Sequence, residues 1–176
     1  MPTAPDTDAA KRDRAAALAL IGHSAVMTLA VTTAEGPWAA PVYYAYLAAD
    51  AGFYFFSSPE SRHIKAALGE GACGAAIFRP ADASGTASSE THTWETICGL
   101  QMRGNMSTAS AIRGPKALAL YLKKFPFSRS LLPKGKASLE GFRQRLGLRF
   151  YRFSATRVEW SDNRVRFGYR NEVNLK

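Results

Sequence analysis

The chain has 176 residues, 47% hydrophobic and 21% charged, a balance that supports one globular domain with a substantial core. It holds no uncharged apolar run of about 18 residues, which argues against a membrane-spanning helix. The net charge of +9 is uneven: residues 1–100 carry six Lys/Arg and ten Asp/Glu, and residues 101–176 carry seventeen and four. That asymmetry is compatible with an anionic ligand, a nucleic acid, an acidic partner or a solvated basic face.

Lys11, Arg12 and Arg14 precede the apolar run Ala15 to Ile21, an arrangement that faintly resembles a secretory signal. Asp6, Asp8 and Asp13 acidify the leader, His23 interrupts the run and no clear small-x-small site follows. Residues 9–22 are therefore read as an amphipathic helix. The expected compartment is the cytoplasm, with Cys73 and Cys98, which share no metal or redox spacing, as reduced, buried thiols.

A strand is predicted over residues 25–32, a turn at Glu35-Gly36 and a second strand over 38–47 containing Pro41. Proline cannot donate to a ladder, so Pro41 marks an edge, a bulge or a ligand-facing gap. A turn over 49–52 leads to the aromatic strand Phe53-Tyr54-Phe55-Phe56, which completes an antiparallel meander. A helix follows, with Ser58 as N-cap, Pro59 at the first helical position, Ile64, Ala67 and Leu68 as its buried stripe and Gly69 as its stop.

Residues 72–78 read as a strand, 80–93 as a polar loop and 96–106 as a long strand. Pro115 opens a helix with Leu118, Tyr121, Leu122 and Phe125 at helical spacing, ended by Pro126. Residues 127–147 are basic, part loop and part short helix. Residues 148–160 and 165–169, joined at Asp162-Asn163, form a closing hairpin. About seven strands with short helices and no strand–helix alternation favour a mainly β, closed or split antiparallel barrel of six to eight strands. One domain spans residues 1–176, with an N-terminal helix over about 9–22 and a basic helical insert over about 113–147.

Three groups of residues carry candidate chemistry. Ser57, Ser58, Ser61 and Arg62, with Lys65 one turn on, sit at a helix start, where unpaired N–H groups and the macrodipole favour a phosphate. The alternative is an ordinary serine cap flanked by surface charges. Gln101 offers donors and an acceptor to a heterocycle edge; alternation puts it with Arg103 on one face and Leu100 with Met102 on the other. Trp160, with Asn163, Arg164, Arg166 and Arg170, combines an indole and guanidiniums that would pack a ring and steady anions, or else marks a surface hairpin with a core tryptophan. No phosphate-loop, zincin or nucleophile-elbow motif is present, and the three histidines have no metal spacing.

In this order, Met27 to Val31, Ala40-Pro41-Val42-Tyr43-Tyr44, the aromatic strand with Ser57 to His63, the Gln101 strand and the closing Trp160, Arg166 and Arg170 resemble the FMN-binding split-barrel superfamily that includes pyridoxamine 5′-phosphate oxidase. The resemblance covers about residues 20–110 and 148–173. It implies that Ser57, Ser58, Ser61, Arg62 and His63 bind the FMN phosphate and that Pro41, Val42 and Tyr43 line the isoalloxazine. It further implies that Gln101 reaches the flavin and that Trp160 and Arg170 close the site. A homodimer with one flavin in each cleft between subunits is implied as well.

The basic residues that flank the matching strand in the oxidase are absent around Ala39 to Tyr44, and Arg166-Phe167-Gly168 stands where the oxidase has a substrate-contacting histidine. Both departures point away from pyridoxamine phosphate as substrate. The ending, Asp162 to Val173, resembles a bacterial branch of the superfamily with no settled substrate. The resulting expectation is an FMN-dependent oxidoreductase with a small-molecule electron donor. Arg103 or Arg170 would be the cation near the ring's pyrimidine end, and no side chain is singled out as catalytic. The alternatives are a flavin-binding or electron-relay protein without a dedicated substrate and, third, a basic nucleic-acid-binding barrel.

Overall fold

Strand β2 (Gly36–Tyr43) and strand β3 (Ala45–Leu47) are consecutive in the chain with only Tyr44 between them, yet they lie at opposite ends of one sheet. The computed structural model describes residues 7–70, 72–80, 94, 97–132 and 137–176. Its other strands are β1 (Val26–Thr33), β4 (Gly52–Ser57), β5 (Ala72–Pro80), β6 (Ile97–Thr108), β7 (Arg149–Asp162) and β8 (Arg170–Glu172). The sheet order is β2-β1-β5-β6-β7-β4-β3, with β8 added to β7, and every pair is antiparallel. Strands lie about 4.8 Å apart, so the two ends of a flat sheet of this order would be roughly 29 Å apart. One residue cannot span that, so the sheet is rolled into a barrel. The barrel is split at the β2/β3 seam, where the chain changes partner at Tyr44.

Tyr44 is fully buried and donates its hydroxyl to the Ile21 carbonyl at 2.8 Å. The single strand expected over 38–47 is thus two strands, and the meander is replaced by two pairs, β1–β2 and β3–β4. Pro41 sits on the end strand β2, opposite Thr28, where its missing N–H costs no ladder bond to a further strand.

Helix α1 (Thr7–His23) buries Ala17, Leu20 and Ile21. Helix α2 (Arg62–Glu70) buries Ile64 and Ala67, but Leu68 is exposed. Residues 113–147 supply α3 (Gly114–Lys124), α4 (Phe127–Ser130) and α5 (Leu139–Leu146). The second hairpin strand is Arg170–Glu172, not 165–169. The residues before it form tight turns, with Gly168 at φ +67, a conformation that Cβ sterics disfavour. The loop expected over 80–93 lies outside the described residues, apart from Pro80 at the end of β5.

Two cores share β4. Phe53 and Phe55 face the barrel interior with Met27, Leu29, Leu100, Tyr151, Phe153 and Trp160. Tyr54 and Phe56 face the helical layer with Leu118, Tyr121, Leu122, Phe142 and Phe150. A fully aromatic strand is stable here because it is covered on both sides, each buried ring contributing about 1.5–3 kcal/mol. Between Arg103 and Gly104 the β6–β7 register shifts. A Cβ on Gly104 would collide with the Ser154 carbonyl and the Phe153 ring, so glycine permits the close approach.

Candidate functional site

The aromatic strand delivers Ser57, paired with Arg149, to a tight turn. The Ser58 carbonyl accepts the Ser61 N–H at 3.1 Å and its hydroxyl at 2.7 Å, while the Ser58 hydroxyl accepts the Glu60 N–H at 3.2 Å. Pro59 fits the second turn position because its φ is already set. The helix therefore begins at Arg62 rather than Pro59, and the Ser61 carbonyl accepts from both Ile64 and Lys65 at 3.1 Å. The Arg62 and His63 N–H groups at the head of α2 make no backbone hydrogen bond among the described residues.

Three side chains converge there. Ser57 Oγ lies 3.0 Å from Ser61 Oγ and 2.9 Å from His63 Nε2, which is 3.4 Å from Ser61 Oγ. Burial pushes the His63 pKa below its ordinary value, so the ring is held neutral. Arg62 turns away from this cluster: its guanidinium is 3.0 Å from Glu35 and stacks 5.0 Å from the Trp38 ring centroid. Lys65 pairs with Glu60 at 2.6 Å. Both pairs are exposed and are worth at most about 1 kcal/mol each, so an arriving anion could displace either carboxylate.

The second candidate surface is the outer face of the sheet. Pairing aligns Pro41, Thr28, Ala76, Gln101 and Glu159 in one row across five strands, and Ala39, Ala30, Gly74, Arg103 and Arg157 in the next. Leu100 and Met102 point inward and Gln101 and Arg103 outward, as alternation requires. Small side chains make the middle of this face a shallow floor, flanked by exposed Val26, Tyr43, Phe78 and Ile97. Arg103 stands opposite Arg157, which reaches Glu172 at 3.3 Å, while Arg170 reaches Glu159 at 3.1 Å. Directly opposed like charges are unfavourable unless an anion lies between them. Arg103 lines two hollows, of about 360 and 310 Å³.

The remaining sequence candidates are divided. Tyr43 is exposed and packs its ring 5.1 Å from Phe125 and 5.6 Å from Phe127. Val42 points into the barrel, so it offers a ligand only backbone. Trp160 also points into the barrel, opposite Leu100, with its indole Nε1 buried and unpartnered. The structure does not bring it to the face that carries Gln101. The serine turn and the Gln101 face share no hydrogen bond or ion pair among the described residues. Arg157 and Glu159 escaped the sequence reading, although alternation with Val158 and Trp160 marks them as outward. The described residues contain no cluster of three His, Cys, Asp or Glu placed to hold a metal.

The fold was compared with solved structures. A heme binding protein from Mycobacterium smegmatis superposes with a TM-score of 0.67 at 19% identity, over 98% of this chain and 60% of that one. This chain thus spans about three fifths of the mycobacterial protein. HutZ, the heme storage protein from Vibrio cholerae, gives 0.57 at 13% identity, over 78% and 86%. A FAD-binding protein from Mesorhizobium loti gives 0.54 at 17%, over 82% and 90%. The chain is a split β-barrel. No protein-family model matches it, and no curated protein does. Among its described residues, no helix of this split barrel is long and apolar enough to cross a membrane.

Proposed function

We propose that this split barrel binds FMN and acts as an FMN-dependent oxidoreductase of the pyridoxamine 5′-phosphate oxidase-like type, on a substrate other than pyridoxamine phosphate. The observation that carries the reading is the convergence of Ser57, Ser61 and His63 at the head of α2, where the first N–H groups of the helix point. Hydroxyls, backbone donors and a neutral imidazole form a donor set that fits a phosphate. Arg62 and Ser58 stand at its rim, and Arg62 would exchange Glu35 for the ligand. The heme- and FAD-binding neighbours support a cofactor-binding role for the fold.

The flat, small-residue face around Ala30, Gly74 and Ala76 suits a planar ring, with Gln101 for its polar edge and Arg103 or Arg170 for negative charge. Pro41 and Tyr43 lie on the same outer side. A second copy of the chain would cover the flanking Val26, Phe78 and Ile97, and would give each flavin one phosphate turn and the partner's Gln101 face. When bound, the flavin supplies the hydride or electron chemistry. The protein's own residues bind the phosphate, orient the ring and set the charge beside it.

An absorption spectrum of the native protein tests this first: flavin bands are expected, and a Soret band would replace flavin with heme. FMN and riboflavin titrations follow, with FMN expected to bind far more tightly. Equal affinities would remove the phosphate assignment. Reduction by NADH or NADPH at a catalytic rate, with reoxidation by an acceptor, separates an enzyme from a passive electron relay.

A further inference from the structure

One cleft shares no lining residue with the serine turn or the Gln101 face. It measures about 600 Å³ and is bounded by the β3–β4 turn, the end of β6, the start of α3 and the first half of β7. Ser107 on its wall is six residues beyond Gln101, about 20 Å along the strand.

Asp50 organises this cleft. Its carboxylate is almost fully buried, accepts the Tyr54 hydroxyl at 2.8 Å and lies 3.0 Å from Arg152 Nε and 3.3 Å from Arg113 Nη1. Backbone carbonyls hold the same guanidiniums: Asp50 O takes Arg152 Nη2 at 3.0 Å, and Ala49 O takes Arg113 Nη1 at 3.4 Å. Two arginines from separate elements are thus fixed in place, each with donors left over, and Lys176 lines the same cleft. Asp50 is the one acidic side chain among the described lining residues, set against the basic side chains of Arg113, Arg152 and Lys176. Four hydroxyls, on Ser107, Thr108, Ser110 and Ser154, complete the lining, and Ser107 faces Arg152 across the β6–β7 ladder.

Holding like charges together without a ligand is unfavourable, and one buried carboxylate does not balance three cations. An anionic phosphate monoester would relieve that repulsion. Its three terminal oxygens match planar guanidinium forks and hydroxyl donors better than a single carboxylate does. The cleft is also several times larger than a phosphate, which leaves room for a small polar body against the hydroxyls.

We infer that this cleft is a second anion site, separate from the flavin turn, that takes a small sugar phosphate. Calorimetric titration of the full chain with ribose 5-phosphate, inorganic phosphate and ribose tests it. Ribose 5-phosphate is expected to bind, phosphate to bind more weakly and ribose not at all. The double variant Arg113→Ala/Lys176→Ala should weaken ribose 5-phosphate by roughly tenfold or more. Arg62→Ala should leave that affinity unchanged, and the double variant should leave FMN affinity unchanged. Both Arg113 and Lys176 are exposed, so the fold should survive their loss; Ser107→Asp, which adds a negative charge to the wall, gives a second, independent weakening. Absence of ribose 5-phosphate binding, binding indifferent to the double variant and Ser107→Asp, or binding lost in Arg62→Ala instead would each overturn the inference. None of those outcomes bears on whether FMN binds.

Discussion

His63 Nε2 sits 2.9 Å from the Ser57 hydroxyl, joining the first turn of α2 to the last residue of β4. The contact makes the imidazole a structural part of the serine turn rather than a surface residue. Because burial is the cause of its lowered pKa, the neutral ring is the form the fold selects.

A pH dependence follows from that shift. The folded-state pKa lies below the unfolded value of about 6.5, so at mildly acidic pH the unfolded chain binds a proton that the folded chain refuses. The His63 contribution is complete above about pH 6.5 and is lost as pH falls through the folded value. Urea midpoints measured across pH 5 to 7.5 should decline on the acid side, and the decline should shrink in His63→Gln. An identical profile in that variant would show that other groups control it.

Arg62→Ala should weaken FMN by about 1.5–3 kcal/mol, roughly ten- to over a hundredfold, through loss of a charge-assisted phosphate contact. Its effect on stability should be small, because the pair it forms with Glu35 is exposed on both sides. A titration with unchanged FMN affinity would reject Arg62 as a phosphate ligand.

Gly104→Ala should destabilise the barrel by about 1–3 kcal/mol, since the new methyl meets the Ser154 carbonyl and the Phe153 ring at the register shift of β6 and β7. Gly69→Ala is the control: nothing lies within 4 Å of a Cβ there. Chemical denaturation should separate the two clearly, and equal midpoints would mean that the β6–β7 contact relaxes freely.

Asp13 anchors the C-terminal strand to α1. Its buried carboxylate accepts from Arg12 at 2.9 Å, from Asn171 at 2.8 Å and from the Tyr169 hydroxyl. These donors hold its pKa below the usual carboxylate value, against the burial that acts to raise it. Asp13→Ala should cost about 1–3 kcal/mol and speed amide exchange over residues 170–173 ahead of the barrel strands. Unchanged exchange there would show that β8 is held by its ladder to β7 alone.

Much of the local structure was legible from single stretches of sequence. The strand read over 96–106 is observed as Ile97–Thr108, and alternation correctly set the outward direction of Gln101 and Arg103. The turn residues between Phe56 and Arg62 marked a strand-to-helix junction, although the helix begins at Arg62 and not at Pro59. Trp160 reads from the sequence as either core or ligand contact, because an indole near arginines fits both, and in the fold it is buried in the barrel. The period-two pattern around Val158 favoured the core.

The chain's own sequence determined most of the strand segments, which of their faces are apolar and where positive charge accumulates, because those depend on residues a few positions apart. Tertiary structure alone decided that β2 and β3 part at Tyr44 and roll the sheet into a barrel. It also decided that Arg62 turns to Glu35, and that Arg113, Arg152 and Lys176 gather about Asp50. These relationships depend on strand pairing and packing between segments distant in the chain, which no local pattern of residues encodes.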